Sequence, residues 1–317
     1  MLVIYNPCAG GDRGKKIRTR VTDSLERQGF GFEIFSTKGP HHAEEMAARA
    51  AAAGNYPIIA AGGDGTVSEV VNGMLRAAPG KPGPLGILPL GSANDLAYAL
   101  SIPASIPGAV EIIARCAPLP IDVGRVNKRY FVNNVGLGLE SFATALRDRI
   151  RIPGLKNYSA AAVLALLRKP EWRMKLLWDG YGEYQGPVSL VSVCNGIRSG
   201  GKFRIAPHAD PADGLLTMVY GHARSRRRLF MAMLKTLPRQ RNTHVHMAGV
   251  REIPLRELAI QSIPATPVHI DGELVPPSDH LSFTLLPGIL PVFREGVHTE
   301  TFLDSIKSPL YSPLESL

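Results

Sequence analysis

Gly62, Gly63 and Gly65 crowd three glycines into four positions around Asp64, and Thr66 follows, between an apolar run and a helical pattern. A backbone without Cβ atoms can turn sharply there and come close to a ligand. Amides at the start of the following helix then face phosphate oxygens, favoured by the helix dipole. A carboxylate inside a phosphate cradle is electrostatically misplaced unless it meets a metal ion or accepts a proton. Asp64 therefore reads as a chemical residue rather than a phosphate-binding one. Without context the same string is equally a capped turn, since Asp and Thr both cap helices. Two common phosphate motifs are absent: no GxxxxGK is followed by Ser or Thr, and Gly10, Gly11 and Gly14 lack the GxGxxG spacing of a dinucleotide fold.

The elements around this loop follow a β-α rhythm. Leu2–Tyr5 reads as a strand, about Arg13–Gln28 as a basic helix, Phe32–Thr37 as a second strand and His41–Ala53 as an alanine-rich helix stopped by Gly54. Pro57–Gly63 is a third strand, Thr66–Ala78 a helix with Val67, Val70, Val71 and Leu75 on one face, and Leu85–Pro89 a fourth strand. Such alternation predicts a parallel sheet covered by helices on both faces. From about Leu119 strands dominate, broken by helical stretches near Phe142–Arg168 and Ser225–Leu237, which predicts a mostly antiparallel second domain. The expected division is a nucleotide-binding domain at 1–120, a β-rich domain at 121–290, and a tail at 291–317 that is loosely ordered or packs on the first domain. Prolines at 103, 107, 118 and 120 mark the junction.

The 317 residues, 45% apolar and 20% charged, suffice for a sizeable globular core. Cys8, Cys116 and Cys194 show no CxxC spacing, so neither a disulfide framework nor a zinc site is expected, and a reducing cytoplasm is the default. No basic lead precedes an apolar run at the N-terminus, so no secretory signal is read. The apolar run Tyr158–Leu167 is far short of the ~20 residues of a spanning helix. A net charge of +9 fits attraction to nucleotide, nucleic acid or anionic lipid phosphates alike. Ser225–Arg241 combines a basic cluster with Leu229, Phe230, Met233, Leu234 and Leu237 at helical spacing. It can lie on anionic lipid, or pack on a sheet with a solvated basic end. The nine histidines show no HxxxH or HExxH pairing.

Further ordered elements extend the glycine loop. GGDGT is followed by SEVVNG and LGILPLGSANDLA (Leu85–Ala97), and NPCAGG (Asn6–Gly11) follows the first strand. IDVGRVN (Ile121–Asn127), NNVGLGLES (Asn133–Ser141), GGKFRIAPHADPADGLL (Gly200–Leu216) and VHIDGE (Val268–Glu273) come after. Together they resemble the diacylglycerol/sphingosine kinase family, in its bacterial soluble form, over roughly residues 2–290. The resemblance implies an α/β domain with a parallel sheet, like that of NAD kinases and diacylglycerol kinases, then a mostly antiparallel β-rich domain. It implies an ATP-dependent lipid kinase, with diacylglycerol as the first substrate and sphingoid or other glycerolipids as alternatives.

By that resemblance the nucleotide meets Asn6, Pro7, Cys8, Ala9 and Gly10, then Thr37, then Gly62, Gly63, Asp64, Gly65, Thr66, Val67, Ser68 and Glu69, and finally Ser92, Asn94 and Asp95. Ser92 replaces the threonine of the usual GTxND, keeping the hydroxyl. Asn94 and Asp95 also suit capping of a helix starting near Leu96. Phosphoryl transfer needs a proton acceptor for the attacking hydroxyl; the candidates are Asp64, Asp122, Asp271 and Glu273, of which the resemblance implies a supporting role for Asp122, and the choice of base stays open. IDGE alone is equally a hairpin turn. HADPADGLL resembles the family's magnesium loop, giving Asp213 by side chain with Asp210 and Leu215 nearby, besides the Mg²⁺ that ATP carries. Expected partners are ATP and a lipid alcohol at a membrane surface, with no nucleic acid; the place is the cytoplasm or the inner membrane face. An NAD kinase and a nucleotide-binding regulator without catalysis are the alternatives.

Overall fold

The computed structural model describes residues 1–9, 14–54, 56–149, 171–223, 225–237 and 243–296, with four positions between 164 and 168. Strands β1 (Leu2–Tyr5), β2 (Glu33–Ser36), β3 (Ile58–Gly62) and β4 (Leu85–Pro89) pair in parallel in the order β4-β3-β1-β2. Helices α1 (Gly14–Arg27), α2 (His42–Ala52) and α3 (Asp64–Ala77) connect them. Every residue of β3 is buried, as a central parallel strand with both faces covered requires. Val67, Val70, Val71, Met74 and Leu75 bury one face of α3 in the same core. This helix opens two residues before the expected Thr66, so Asp64 and Gly65 belong to its first turn.

After the short α4 (Asp95–Ala99) comes a helix absent from the sequence reading, α5 (Ile106–Arg115). There the prolines were read as a junction. Pro107 instead sits in the first turn, where its missing N–H costs nothing, and the Ser105 hydroxyl caps the helix by accepting from the Gly108 amide at 3.3 Å.

The second half is antiparallel. β5 (Pro118–Val126), β6 (Arg129–Phe131), β7 (Asn134–Gly138), β8 (Trp172–Trp178), β9 (Gly182–Val188), β10 (Leu190–Cys194), β11 (Leu216–Gly221) and β12 (Val250–Leu255) join β13 (Glu257–Ile270) and β14 (Glu273–Phe293). The central order is β12-β11-β10-β7-β13-β14, with β5 and β8 branching from β14 and β13. The helical stretch expected at Phe142–Arg168 is α6 (Leu139–Arg149) in its described part, and that at Ser225–Leu237 is α7 (Arg226–Lys235). Most of the apolar run Tyr158–Leu167 lies outside the described residues. Among the described residues no helix is long and apolar enough to cross a membrane.

The several short strands read near the C-terminus fuse into two long ones, because breaks in pairing are absorbed as register shifts at Gln261–Val268 and Leu286–Leu290. Strand β14 unites the halves. It pairs with β13 and β5, then sets Val292 beside Leu85 of β4 in parallel. Pro291, Val292 and Phe293, placed in the tail by sequence, thus end this strand. Leu290 and Val292 are fully buried in the core of the first half, alongside Ile121 and Val123 of β5. A second core gathers β7, β8, β10, β11, β13 and the first part of β14, with Phe131 edge-on to Phe283.

Candidate active site

Gly63 is the N-cap of α3 and no side chain caps this helix, so the capped-turn reading of Asp64 and Thr66 fails. Thr66 is spent elsewhere: its hydroxyl accepts from Asn6 Nδ2 at 2.9 Å, while Asn6 Oδ1 accepts from the Cys8 amide at 2.9 Å. The loop after β1 is thereby tied to the glycine loop after β3. A Cβ on Gly91 would stand 2.5 Å from Gly63 Cα, so glycine is required at 91 where these two backbones touch. A Cβ on Gly65 would meet nothing within 4 Å. Asn94, at φ 50°, occupies the N-cap of α4 without capping it by side chain. Its amide closes the preceding loop, accepting from the Gly91 amide at 2.9 Å and donating to the Gly91 carbonyl at 3.0 Å.

Two carboxylates meet at this floor. Asp64 Oδ1 accepts from the Asp95 amide at 2.5 Å. Asp95 is buried, receives Arg198 Nε at 2.7 Å and takes the Gly201 amide on both oxygens. Burial, then the charge of Asp64, push its carboxyl up to about 7, against the pull of Arg198 and the Gly201 amide. The Arg198 guanidinium also donates to the Ala93 carbonyl at 2.7 Å and lies 3.7 Å over the Tyr98 ring.

Asp271 and Gly272 form the turn between β13 and β14, both at positive φ (48° and 84°), so the hairpin reading of IDGE holds. The turn also aims chemistry inward. The buried Asp271 carboxylate accepts from the amides of Val132, Asn133 and Asn134 at 2.9 to 3.1 Å. Burial raises its carboxyl above the ordinary range, while these amides and the Ser68 hydroxyl pull the other way. Asn133 bridges the halves, with its backbone on Asp271 and its Nδ2 3.5 Å from Asp64 Oδ1. Glu273 is engaged by Arg129 at 2.5 Å, with His41 at 3.8 Å.

A cleft of about 960 Å³ is lined by Asn6, Pro7, Cys8, Thr37, Gly63, Asp64, Gly65, Thr66, Glu69, Ser92, Asp95, Asp271 and Glu273. The structure thus brings most of the expected residues together. Ala9 and Val67 lie in the core, Gly62 is buried at the end of β3, and Ser68 is buried behind Asp271. Glu69 reaches the cleft wall, yet its carboxylate receives the amides of His41 and Ala43 at the start of α2. Gly10 lies outside the described residues. The cleft also holds Lys38, Asn133, Asn134, Ser199, Gly200 and His269, which sequence reasoning gave no role. Asn133 and Asn134 stood inside the quoted NNVG element, Gly200 opened GGKFRIAPHADPADGLL and His269 stood inside VHIDGE; Lys38 and Ser199 carried no spacing signal.

Asp122 does not line the cleft. Its oxygens take the amides of Gly214 and Gly288 at 2.7 Å each, and its own amide donates to the Pro211 carbonyl. It anchors the loop of Asp210, Asp213 and Leu215. There Asp213 Oδ1 accepts from the Leu215 amide at 2.9 Å and Asp210 Oδ1 from the Ala212 amide at 3.0 Å. Partial burial raises the Asp213 carboxyl, and the nearby charges of Asp210 and Asp122 add to the rise. Among the described residues no three acidic, His or Cys side chains cluster as a metal site. Like charges around Asp213 and free carboxylate oxygens nevertheless fit a hard cation completed by main-chain oxygen.

Beside the cleft lies an apolar pocket of about 120 Å³ formed by Leu139, Ala143, Phe203, Val219, Leu229, Met233 and neighbours. It shares Ser199 with the cleft. Glu140, its side chain 8% exposed, stands in its wall, 3.3 Å from Nε2 of the buried His269. Burial would push the Glu140 carboxyl up; His269, Ser199 and Ser192 outweigh it and hold it below its ordinary range. Glu140 Oε2 has no hydrogen-bond partner among the described residues.

The profile described as the diacylglycerol kinase catalytic domain matches residues 1–126, and that of the YegS C-terminal NAD kinase beta sandwich-like domain matches residues 133–294. The chain is 32% identical over 252 residues to a "Probable lipid kinase YegS-like" of Chromohalobacter salexigens, covering 77% of this chain and 78% of that one. It is 30% identical over 273 residues to a "Diacylglycerol kinase" of Staphylococcus haemolyticus, covering 86% and 81%. A diacylglycerol kinase structure from Bacillus anthracis superposes with TM-score 0.71 at 21% identity, over 93% of this chain and 96% of that one. An NAD kinase from Archaeoglobus fulgidus in complex with ATP superposes at 0.50 and 11% identity, over 97% and 99%. The two structures share the fold.

Proposed function

Since the chain belongs to the family of bacterial diacylglycerol kinases and YegS-like lipid kinases, we propose that it transfers the terminal phosphoryl group of ATP to a lipid hydroxyl, with diacylglycerol as the first acceptor. The observation that carries this reading is the contact of two unlike spaces: the polar cleft and the apolar pocket have Ser199 in common. A lipid alcohol fits such a pair, with its head in the cleft and its chain against Leu139, Phe203 and Met233. Glu140 Oε2, without a hydrogen-bond partner among the described residues in a mostly apolar wall, suits a head that carries a further hydrogen-bond donor.

ATP fits the glycine loop because the first turn of α3 is uncapped by any side chain and space opens at Gly65. Lys38 on the cleft wall supplies a cation for the phosphates. Asp95, whose proton is held partly by repulsion from Asp64, would hold the divalent ion that ATP brings; the ion supplies charge neutralisation when bound. Asp213 and Asp210, with Leu215 through its main chain, would hold a second ion that orders the loop on Asp122.

Asp64 is our choice of proton acceptor. Asp271 has both oxygens on backbone amides, and Glu273 is engaged by Arg129. Asp64 Oδ2 has no protein partner among the described residues. As the lipid oxygen bonds to the terminal phosphorus, the bond from that phosphorus to the bridging oxygen breaks, ADP leaves, and the hydroxyl proton passes to Asp64. Asp271 acts by fixing the Val132–Asn134 backbone.

Radiolabelled ATP incubated with a mixed lipid extract tests this. One lipid phosphate should be labelled by wild type and by neither Asp64→Asn nor Asp271→Asn. Label on NAD offered as acceptor, or tight ATP binding with no lipid labelled, would overturn the proposal.

A further inference from the structure

Helix α7 (Arg226–Lys235) has two apolar sides. Leu229, Ala232 and Met233 line the apolar pocket beneath it, while Phe230 and Met231 are 43% and 48% exposed on the outside. A helix packed on a sheet needs one apolar stripe, so the outer pair lacks a partner. Arg226, Arg227 and Arg228 open the helix, all exposed, and its first turn carries no acid. Among the described residues no carboxylate pairs with these arginines or with Arg251.

At the N-terminal end of α7 a recess of about 510 Å³ is walled by Arg228, Arg251, His222, Tyr184 and Tyr220. His222 Nδ1 is buried there without a hydrogen-bond partner among the described residues. The two tyrosine rings, 4.9 Å apart, form one side. Cations and an unpartnered ring nitrogen around an open recess match a phosphate headgroup. Apolar side chains a few residues along the same helix match the acyl layer next to it.

We propose that the outer face of α7, with the recess of Arg228, Arg251 and His222, is the surface by which this protein docks on an anionic phospholipid bilayer. Phe230 and Met231 enter the acyl boundary while a headgroup phosphate seats in the recess. The inner face of the same helix roofs the apolar pocket, so docking sets that pocket one helix thickness from the bilayer. The proposal extends the lipid kinase reading but stands on separate residues.

Sedimentation of the full chain with sucrose-loaded vesicles, without nucleotide, tests it. Wild type should bind vesicles of phosphatidylglycerol and phosphatidylcholine and not pure phosphatidylcholine. At about fivefold per surface charge, Arg226→Gln/Arg227→Gln/Arg228→Gln should weaken binding about 100-fold. Removing equal charge elsewhere, by Arg20→Gln/Arg49→Gln/Arg115→Gln, should weaken it much less. Phe230→Ser/Met231→Ser should also release the protein, with an unchanged circular dichroism melt showing that the fold is intact. Vesicle binding by the α7 variants equal to wild type, or loss shared equally by the control, would overturn the proposal. So would a light-scattering mass that drops in Phe230→Ser/Met231→Ser while vesicle binding persists, since a second copy would then cover the face. A protein that docks yet labels no lipid sinks the kinase reading alone.

Discussion

The four acids singled out in the sequence occupy four different environments. Asp64 keeps one oxygen in the cleft without a partner among the described residues, Asp271 is held by amides, Glu273 faces Arg129, and Asp122 anchors a distant loop. Asp64→Asn should therefore lower kcat about 10²–10⁴-fold with KM for ATP little changed, whereas Glu273→Gln should cost less. Steady-state kinetics on both variants would reverse the assignment if Glu273→Gln lost more. Asp95 gives a pH prediction. Its folded-state carboxyl, pushed up to about 7, lies above its unfolded value, so the stability this proton contributes is full below the unfolded value. It is lost as pH rises through about 7. Between pH 4 and pH 8 the unfolding free energy of Asp95→Asn should thus gain on that of wild type; a pH-independent difference would refute it. In Asp64→Asn the Asp95 carbon signal should titrate lower, because one repelling charge is gone. That the loop glycines and Asp64 line one cleft was legible because their spacing sets a tight turn between a strand and a helix. The partners of each acid were not, since Asn133 and Arg198 arrive from distant segments.

At the level of elements, the parallel strands and their helices follow from alternation and from glycine stops, and the boundaries move by only a residue or two. What the text of the chain hid was α5, where prolines masked a helix start, and the continuity of β13 and β14, where prolines and a glycine suggested ends that bulges absorb. Asn72 shows how an element is fixed by a single side chain. Buried on α3, it donates to the carbonyls of Ser68 and Tyr130 and accepts the Tyr130 amide, pinning β6 to the helix. Asn72→Ala should destabilise by about 2–3 kcal/mol, because the Tyr130 groups lose their partner in a buried place. Urea denaturation would check this, and a loss below 0.5 kcal/mol would show that water replaces the amide.

The whole molecule is joined by β14, whose last residues complete the core of the first half while its first residues belong to the second. Leu290→Ala should cost about 2–5 kcal/mol and lower a single melting transition. Two separated transitions in the wild type would show that the halves fold independently. Sequence patterning announced the two halves but not this return, because the pairing of Val292 with Leu85 joins residues two hundred positions apart. A second tie joins the halves beside the cleft, where Arg198 and the Gly201 amide grip Asp95. On the proposed function, an ion arriving with ATP would compete for that carboxylate and loosen the segment carrying Ser199, which lines both the cleft and the apolar pocket. Occupancy of the cleft would then be felt in the pocket, and by reciprocity the lipid would in turn alter the grip on the nucleotide. On the proposed function the clasp would thus act as a latch between the two substrates, and Arg198→Met should leave them indifferent to each other in a two-substrate kinetic grid.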